Sequence, residues 1–364
     1  MGTISFSSRR LTDSQELAGD WCDLESRADG GFFLSWDWIG CWLECIESDV
    51  TVVEGRAEGR VVALALLGAA QPGGRGGKAV YLHQTGDPAA DRIAIEYNGF
   101  LLDRAVAHGG ASQALSALVS DPELKWDSLF LRGLSQEFAE AVAAGSHPAR
   151  LRSRSTTVQV DLAALRAVDG AFLDRCSANT RAQIRRAIRQ YETRGELRLE
   201  AASSVAQARE FLGELGTLHQ QYWTGKGDDG AFSSDFFFAF HERLIEVCHP
   251  KGRVELLRLS AGDMAIAYLY NFVDGETVHY YASGILYEDD NRLKPGLVAH
   301  TLCIERHLAA GRDCYDFMAG EARYKTSLGE PGPDILAYVL ERPTAGQSVK
   351  NALRWVKDLT SGRP

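Results

Sequence analysis

The chain has 364 residues, 45% of them hydrophobic and 24% charged, with a formal net charge of −10. That length accommodates two domains with sizeable cores, and the acidic balance argues against DNA and against an extensive tRNA contact. No window approaches the roughly 18 consecutive apolar residues of a membrane span, the opening MGTISFSSRR lacks a signal peptide's apolar core, and the scattered cysteines and histidines form neither CxxC nor HExxH, so a cytosolic protein with reduced thiols and no metal is expected.

In chain order, FFLSWDWIGCWLECI (32–46) reads as a helix with a wide aromatic face. VTVVEGRAEGRVVALALLGAA (50–70) reads as two strands joined near Glu58-Gly59. QPGGRGGK (71–78) is a loop, and 79–86, 92–102 and 126–134 are strand candidates, with an Ala/Leu helix over 112–120. A similar order returns past residue 165. Helices are predicted over 172–194, 204–225 and 234–249. A hairpin follows over 252–272 with Gly262-Asp263 at its turn, then a strand over 276–287. A helix from Pro295 to about Ala310 comes next, with Gly311 placed to end it, then a strand over 313–320. The segment 347–359 reads as a basic amphipathic helix, its apolar stripe suited to docking on the domain before it. The repeated order implies an α/β chain with mixed sheets, built as two tandem domains (1–160 and 161–345) and a C-terminal helix and tail (346–364).

Two stretches carry chemistry. The first is NRLKPGL (291–297) at a helix start. The first N–H groups of a helix have no internal partner and its dipole is positive there, so a pyrophosphate would suit this end, with Lys294 adding charge. The same residues also read as an ordinary Pro-started helix after a surface loop. The second is DFMAGEARYK (316–325), in which a strand end meets Glu321, Tyr324 and Lys325. Tyr324 suits proton donation to a leaving thiolate, Lys325 anion binding, and Glu321 or Asp316 proton acceptance from an amine. A solvated charged loop is the alternative. In NTRAQIRRAIRQYETRG (179–195), Thr180 with Gln183 reads as a capping box, which starts the helix near Arg181. Arg181, Arg185 and Arg189 share a face there, an anion surface or a solvated ridge. His219 and Trp223 lie four apart on the next helix, as a packed pair or as a cleft lining.

Taken together, YDFMAGEARYK (315–325) and LKPGLVAHTLCIERHLAAG (293–311) resemble the GNAT acyltransferases of the cellulose-biosynthesis CelD-like family, which is related to the FemABX peptidyltransferases. Asp316, Phe317, Gly320, Tyr324 and Lys325 fill the family's DF–x–x–G–x–x–x–YK signature. LHQQYWTGKGDDGAF (218–232), the Arg-rich helix and FFLSWDWIGCW follow the same family, so the likeness covers most of the chain and is strongest over 179–327. It implies two tandem GNAT-like domains, the first degenerate. It also implies an acyl-CoA co-substrate whose pantetheine arm lies between two splayed strands, 278–284 and 313–318. Tyr281, Ala282 and Ser283 would face the pantetheine amides. Asn291, Arg292, Lys294, Gly296 and Leu297 would hold the pyrophosphate, although only Arg292 and Gly296 match the usual Q/RxxGxG/A loop. Asp316, Glu321 or His219 would take the amine's proton and Tyr324 would protonate the thiolate. Lys325, Trp223, Phe317, Arg181 and Arg185 would contact the acceptor, a small amine or an amino sugar for exopolysaccharide. A FemABX-like transfer from aminoacyl-tRNA and a non-catalytic scaffold in a polysaccharide synthase complex are the competing expectations.

Overall fold

The computed structural model describes residues 4–69, 78–320 and 322–342. The predicted terminal helix over 347–359 and Glu321 lie outside the described residues. In chain order the first half runs β1 (Ser5–Arg10), α1 (Ser14–Glu25), α2 (Trp36–Cys45), β2 (Val50–Ala57), β3 (Arg60–Ala69), β4 (Ala79–Leu82), β5 (Leu101–Leu102), α3 (Ala107–Ser120), β6 (Ser128–Leu134), α4 (Gln136–Ala144) and β7 (Ala149–Asp161). The second half follows with α5 (Leu162–Ala167), α6 (Phe172–Arg175), α7 (Ala178–Glu192), β8 (Leu197–Ala201), α8 (Val205–Thr224), α9 (Asp235–Cys248), β9 (Val254–Ala261), β10 (Met264–Asp274), β11 (Thr277–Ile285), α10 (Pro295–Ala309), β12 (Cys314–Ala319), α11 (Arg323–Leu328) and β13 (Glu330–Glu341).

All of these strands join one mixed sheet, ordered β1-β2-β3-β4-β6-β13-β7-β12-β11-β10-β9-β8, with β5 pairing β3. The order reads as two matching arms meeting at the centre. In each arm an antiparallel meander leads to a single parallel pair, β4 with β6 and β11 with β12. At the centre the last strands change places: β13 lies between β6 and β7 of the first half, and β7 lies between β13 and β12. The two halves are thus woven through each other. One core also spans both. Phe32 stacks on Phe272 with ring centroids 4.4 Å apart, and Trp38 packs edge-on against Phe240 at 4.8 Å.

The helix predicted over 32–46 begins only at Trp36, capped by the extended Ser35, and two further predicted elements take another form. The region 92–102 contributes only the short β5; Ile93 and Ile95 are buried in alternation, but Tyr97 adopts φ 55°, and the backbone then turns across the sheet instead of extending it. The predicted helix over 172–194 is broken. Ser177 caps α7, accepting from Thr180 N–H at 3.1 Å, so the cap falls at Ser177 and not at Thr180. Its extended backbone and short hydroxyl satisfy a first-turn donor more directly than the threonine inside the helix.

Candidate active site

β11 and β12 are in register only over Thr277↔Cys314, Val278↔Tyr315 and His279↔Asp316. Past that point they part. The cause is local on both strands. In β11 the pairing with β10 skips from Tyr280 to Ala282, so Tyr281 is the extra residue of a β-bulge, which bends its strand and interrupts the ladder. In β12, Met318 adopts φ 59° and turns the chain away. Lys325 holds the turned end: its Nζ donates to the carbonyls of Phe317 (2.8 Å) and Ala319 (2.6 Å). Gly320, at φ 128°, leaves room for that ammonium, which a Cβ would approach to 3.1 Å.

A cavity of about 1110 Å³ borders the parted strands. Its lining includes Ser283 and Ile285 from β11, Lys294, Gly296 and Leu297 from the start of α10, and Tyr324 from α11. The first turn of α7 adds Ser177 and Thr180 on another side. Lys294 is a left-handed residue (φ 46°, ψ 52°) at the N-cap of α10, followed by Pro295. The first intrahelical bond there is Val298 N–H to Lys294 O at 3.2 Å. The amides of Gly296 and Leu297 precede it, so they are the orphan donors of this helix end. A non-glycine residue held at positive φ costs of order 1–3 kcal/mol, which the surroundings must sustain.

Tyr324 joins a hydroxyl chain at the cavity wall. Its OH donates to Tyr280 OH at 3.3 Å, and Tyr280 OH is 2.7 Å from Ser283 Oγ. Its ring stacks on His300 at 5.1 Å. Burial, with the Tyr280 hydroxyl beside it, raises the Tyr324 pKa well above that of a free phenol, so it stays protonated.

On the opposite face of the same strands lies a buried polar group. Asp316 Oδ2 accepts from Tyr97 OH and lies 3.2 Å from His279 Nδ1, while Asp316 Oδ1 accepts from Met318 N–H at 2.8 Å. Glu96 accepts from Ala319 N–H at 2.9 Å, and burial raises its pKa. Tyr97 and Glu96 come from the first half. Sequence reasoning found Asp316 but missed His279, Glu96 and Tyr97. His279 was visible only as one polar side chain in an aromatic strand, and nothing local joins residue 97 to residue 316.

Other expected site residues are placed differently. Lys325 is largely buried and spends its donors on carbonyls, and burial lowers its pKa against the opposing pull of Glu96 and Asp316. Phe317 is fully buried on the α10 face of β12, so it is core and not an acceptor contact. His219 accepts from Trp223 Nε1 at 3.0 Å through Nε2, its ring lies against Phe232, and burial lowers its pKa to about 4. That nitrogen is engaged, and neither His219 nor Trp223 lines the cavity. Arg292 is held by Asp290 through Nη2 at 2.7 Å, and Asn291 is exposed. Arg181 lies 3.3 Å from Asp174 and Arg185 is exposed, so α7 turns Ser177, Thr180 and Gln183 to the cavity instead of its arginines. Tyr281 turns its side chain into the core shared by both halves, where its OH is 3.3 Å from His241 Nε2. Ala282 packs on that core too, which leaves Ser283 as the member of 281–283 lining the cavity. Among the described residues, no group of three or more His, Cys, Asp or Glu is placed to hold a metal ion.

Residues 178–326, which contain the parted strands and α10, match the model of the acetyltransferase (GNAT) domain. This half is an acyltransferase domain. Across both halves the chain overlays the crystal structure of FemX with a TM-score of 0.60 at 11% identity, covering 92% of this chain and 97% of that one. It overlays the C-terminal domain (DUF2156) of a putative lysylphosphatidylglycerol synthetase from Agrobacterium fabrum with a TM-score of 0.54 at 11% identity, covering 95% and 97%. A conserved protein of unknown function from Bacteroides thetaiotaomicron gives 0.54 at 10% identity, covering 92% and 99%. At these identities the overlays establish the shared fold. No curated protein matches the chain by sequence. No helix among the described residues is long and apolar enough to cross a membrane.

Proposed function

We propose that the chain is a cytoplasmic acyl-CoA-dependent N-acyltransferase of the CelD-like type, with domains over 1–160 and 161–345. On this reading it transfers an acyl group directly to the amine of a small molecule or an amino sugar, in exopolysaccharide or cell-envelope biosynthesis. The observation that carries the reading is the parting of β11 and β12 after His279 and Asp316, beside a cavity that also receives the start of α10. An extended pantetheine would pair with the freed edge of 280–285. The amides of Gly296 and Leu297, with the Lys294 ammonium, would face the pyrophosphate. Gly296 has no atom within 4 Å of where a Cβ would stand, so the backbone there is open to approach.

The chemistry needs no covalent enzyme intermediate. The amine attacks the thioester carbonyl, the C–N bond forms, and the C–S bond breaks to release a thiolate. Tyr324, neutral and next to Tyr280, would supply the thiolate's proton. Holding both reactants in one cleft is worth roughly 7–11 kcal/mol at the favourable limit.

One observation favours a FemABX-like, aminoacyl-tRNA-dependent transfer as the second reading: Asp290 holds Arg292, the one arginine of the expected phosphate loop. Thermal unfolding with acetyl-CoA, longer acyl-CoAs and CoA separates the two. A ligand at 100 times its Kd adds about 2.7 kcal/mol to the stability of the native state. A rise in Tm with a thioester is expected. No rise with any of them contradicts the acyl-CoA reading and leaves the tRNA-dependent and scaffold alternatives.

A further inference from the structure

We infer that His279 is the general base that deprotonates the acceptor amine, with Asp316 and Tyr97 as its positioning residues. This rests on the acyltransferase reading above and adds a residue to it. His279 and Asp316 are cross-strand partners at the last paired position before β11 and β12 separate, so the imidazole stands at the apex of the opening. Neighbouring residues of a strand point to opposite faces. Tyr280 therefore presents its hydroxyl to Tyr324 on one face, while His279 meets Asp316 on the other. A thioester carbonyl held at the apex would have the acid on one side and the base on the other.

The carboxylate decides the tautomer. Asp316 is 1% exposed, and His279 Nδ1, 3.2 Å from Oδ2, donates its N–H to that oxygen. The lone pair then resides on Nε2. The His279 side chain keeps 11% of its surface exposed, on the face of the strands away from the cavity that Tyr324 lines. Tyr97 OH and Met318 N–H fix the carboxylate that fixes the ring, and both residues hold positive φ, 55° and 59°. Two strained non-glycine residues donating to one buried carboxylate are a costly local arrangement, of the kind that gathers at working sites. The logic is that of a carboxylate orienting a histidine base. Nε2 takes one proton from the amine nitrogen as the C–N bond forms. Tyr324 gives one to the sulfur as the C–S bond breaks, and the imidazolium and phenolate then re-equilibrate through solvent. The net change is amine plus thioester to amide plus thiol.

Nitrogen NMR of the histidines in the full chain tests this without an acceptor. The charged and titratable groups around His279 are Asp316 on β12 and Glu96 and Tyr97 from the first half, with Lys325 on α11 acting on Asp316 and Glu96. Neutral His279 is expected as the Nδ1–H tautomer, and Asp316→Asn is expected to abolish that preference. With acetyl-CoA and glucosamine as probes, His279→Gln is expected to lower kcat by about 10²–10⁴-fold. It should also remove the acid limb of the pH–rate profile, with acetyl-CoA affinity within threefold of the parent. An Nε2–H tautomer, or a His279→Gln enzyme with the parent's kcat and acid limb, overturns the assignment while leaving the acyltransferase reading intact. A chain with the expected tautomer that neither binds nor cleaves acetyl-CoA overturns the acyltransferase reading and the base assignment with it.

Discussion

The two halves of the sheet make the same opening and treat it in opposite ways. In the first half β4 and β6 pair in parallel over Ala79–Tyr81 and Ser128–Phe130 and then diverge, as β11 and β12 do. There the protein's own chain fills the wedge. Asn98 Nδ2 donates to Leu82 O at 3.2 Å and to Arg132 O at 2.9 Å, its N–H donates to Gly133 O, and its Oδ1 is 2.7 Å from His83 Nδ1. Gly133, at φ 68°, lets the insert pass, since a Cβ there would lie 2.0 Å from Ile95 O. In the second half no such insert pairs with 280–285 among the described residues, and Ser283 and Ile285 line the cavity there. Unpaired strand backbone must find partners. One half finds them in Asn98; on the proposed reading the other offers them to the acyl-CoA. The segment that closes the first opening also reaches the second, because Tyr97 and Glu96 precede Asn98 directly and bond Asp316 and Ala319. The first half thus holds the strand end at which the second half's opening begins.

The contrast is broken most strongly by giving the second half a plug of its own. Ser283→Trp places an indole where β11 borders the cavity; acetyl-CoA affinity is expected to fall more than about a hundredfold by calorimetry, with the Tm of the free chain little changed. Next in size is Tyr324→Phe, which removes the proposed acid and is expected to lower kcat by about a hundredfold at unchanged acetyl-CoA affinity. Unchanged turnover removes Tyr324 from the mechanism.

Lowering the pH acts on both halves through histidines buried in neutral form. Burial lowers the pKa of His83 to about 4, and those of His241 and His300 to about 3. Between these values and 6.5 the unfolded chain binds more protons than the folded one, so stability rises with pH. It is complete above about 6.5 and is lost as pH falls toward 4 and below, with a slope of up to about 1.4 kcal/mol per unit for each histidine. The urea midpoint at pH 5 is expected well below that at pH 7; equal midpoints contradict the burial of neutral imidazoles.

Asn98→Ala sharpens the comparison further. It strips partners from two buried carbonyls and is expected to cost about 1–3 kcal/mol in chemical denaturation while acetyl-CoA affinity stays within threefold. The smallest effect belongs to Arg292→Ala. Its guanidinium is exposed and held by Asp290, so a less than threefold change in acetyl-CoA affinity is expected.

Much of this architecture is legible in the sequence. The hairpins turning at Glu58-Gly59 and Gly262-Asp263 announce themselves by apolar runs around turn residues. The Pro-Gly start of α10 follows from the rigid φ of proline. The two exchanged strands do not. β7 alternates arginine with serine along its exposed first part, and β13 opens with Glu330-Pro331-Gly332-Pro333, which reads as a loop. Each becomes a strand because the other half supplies its neighbours. The site divides the same way. Tyr324, Gly296, Lys294 and Ser283 follow from local pattern and family likeness, whereas His279, Tyr97 and Glu96 depend on contacts between distant segments. Lys325 and Phe317 mislead because a motif shows residue type without showing which way the side chain turns.

Hydrogen exchange along the backbone, with and without CoA, tests the central claim most directly. The amides of 280–285 and of Gly296 and Leu297 are expected to slow when CoA binds, while those of 79–86 and 128–134 keep their rates. Protection absent from 280–285 while CoA is bound, or appearing in the first half's wedge instead, would contradict the account.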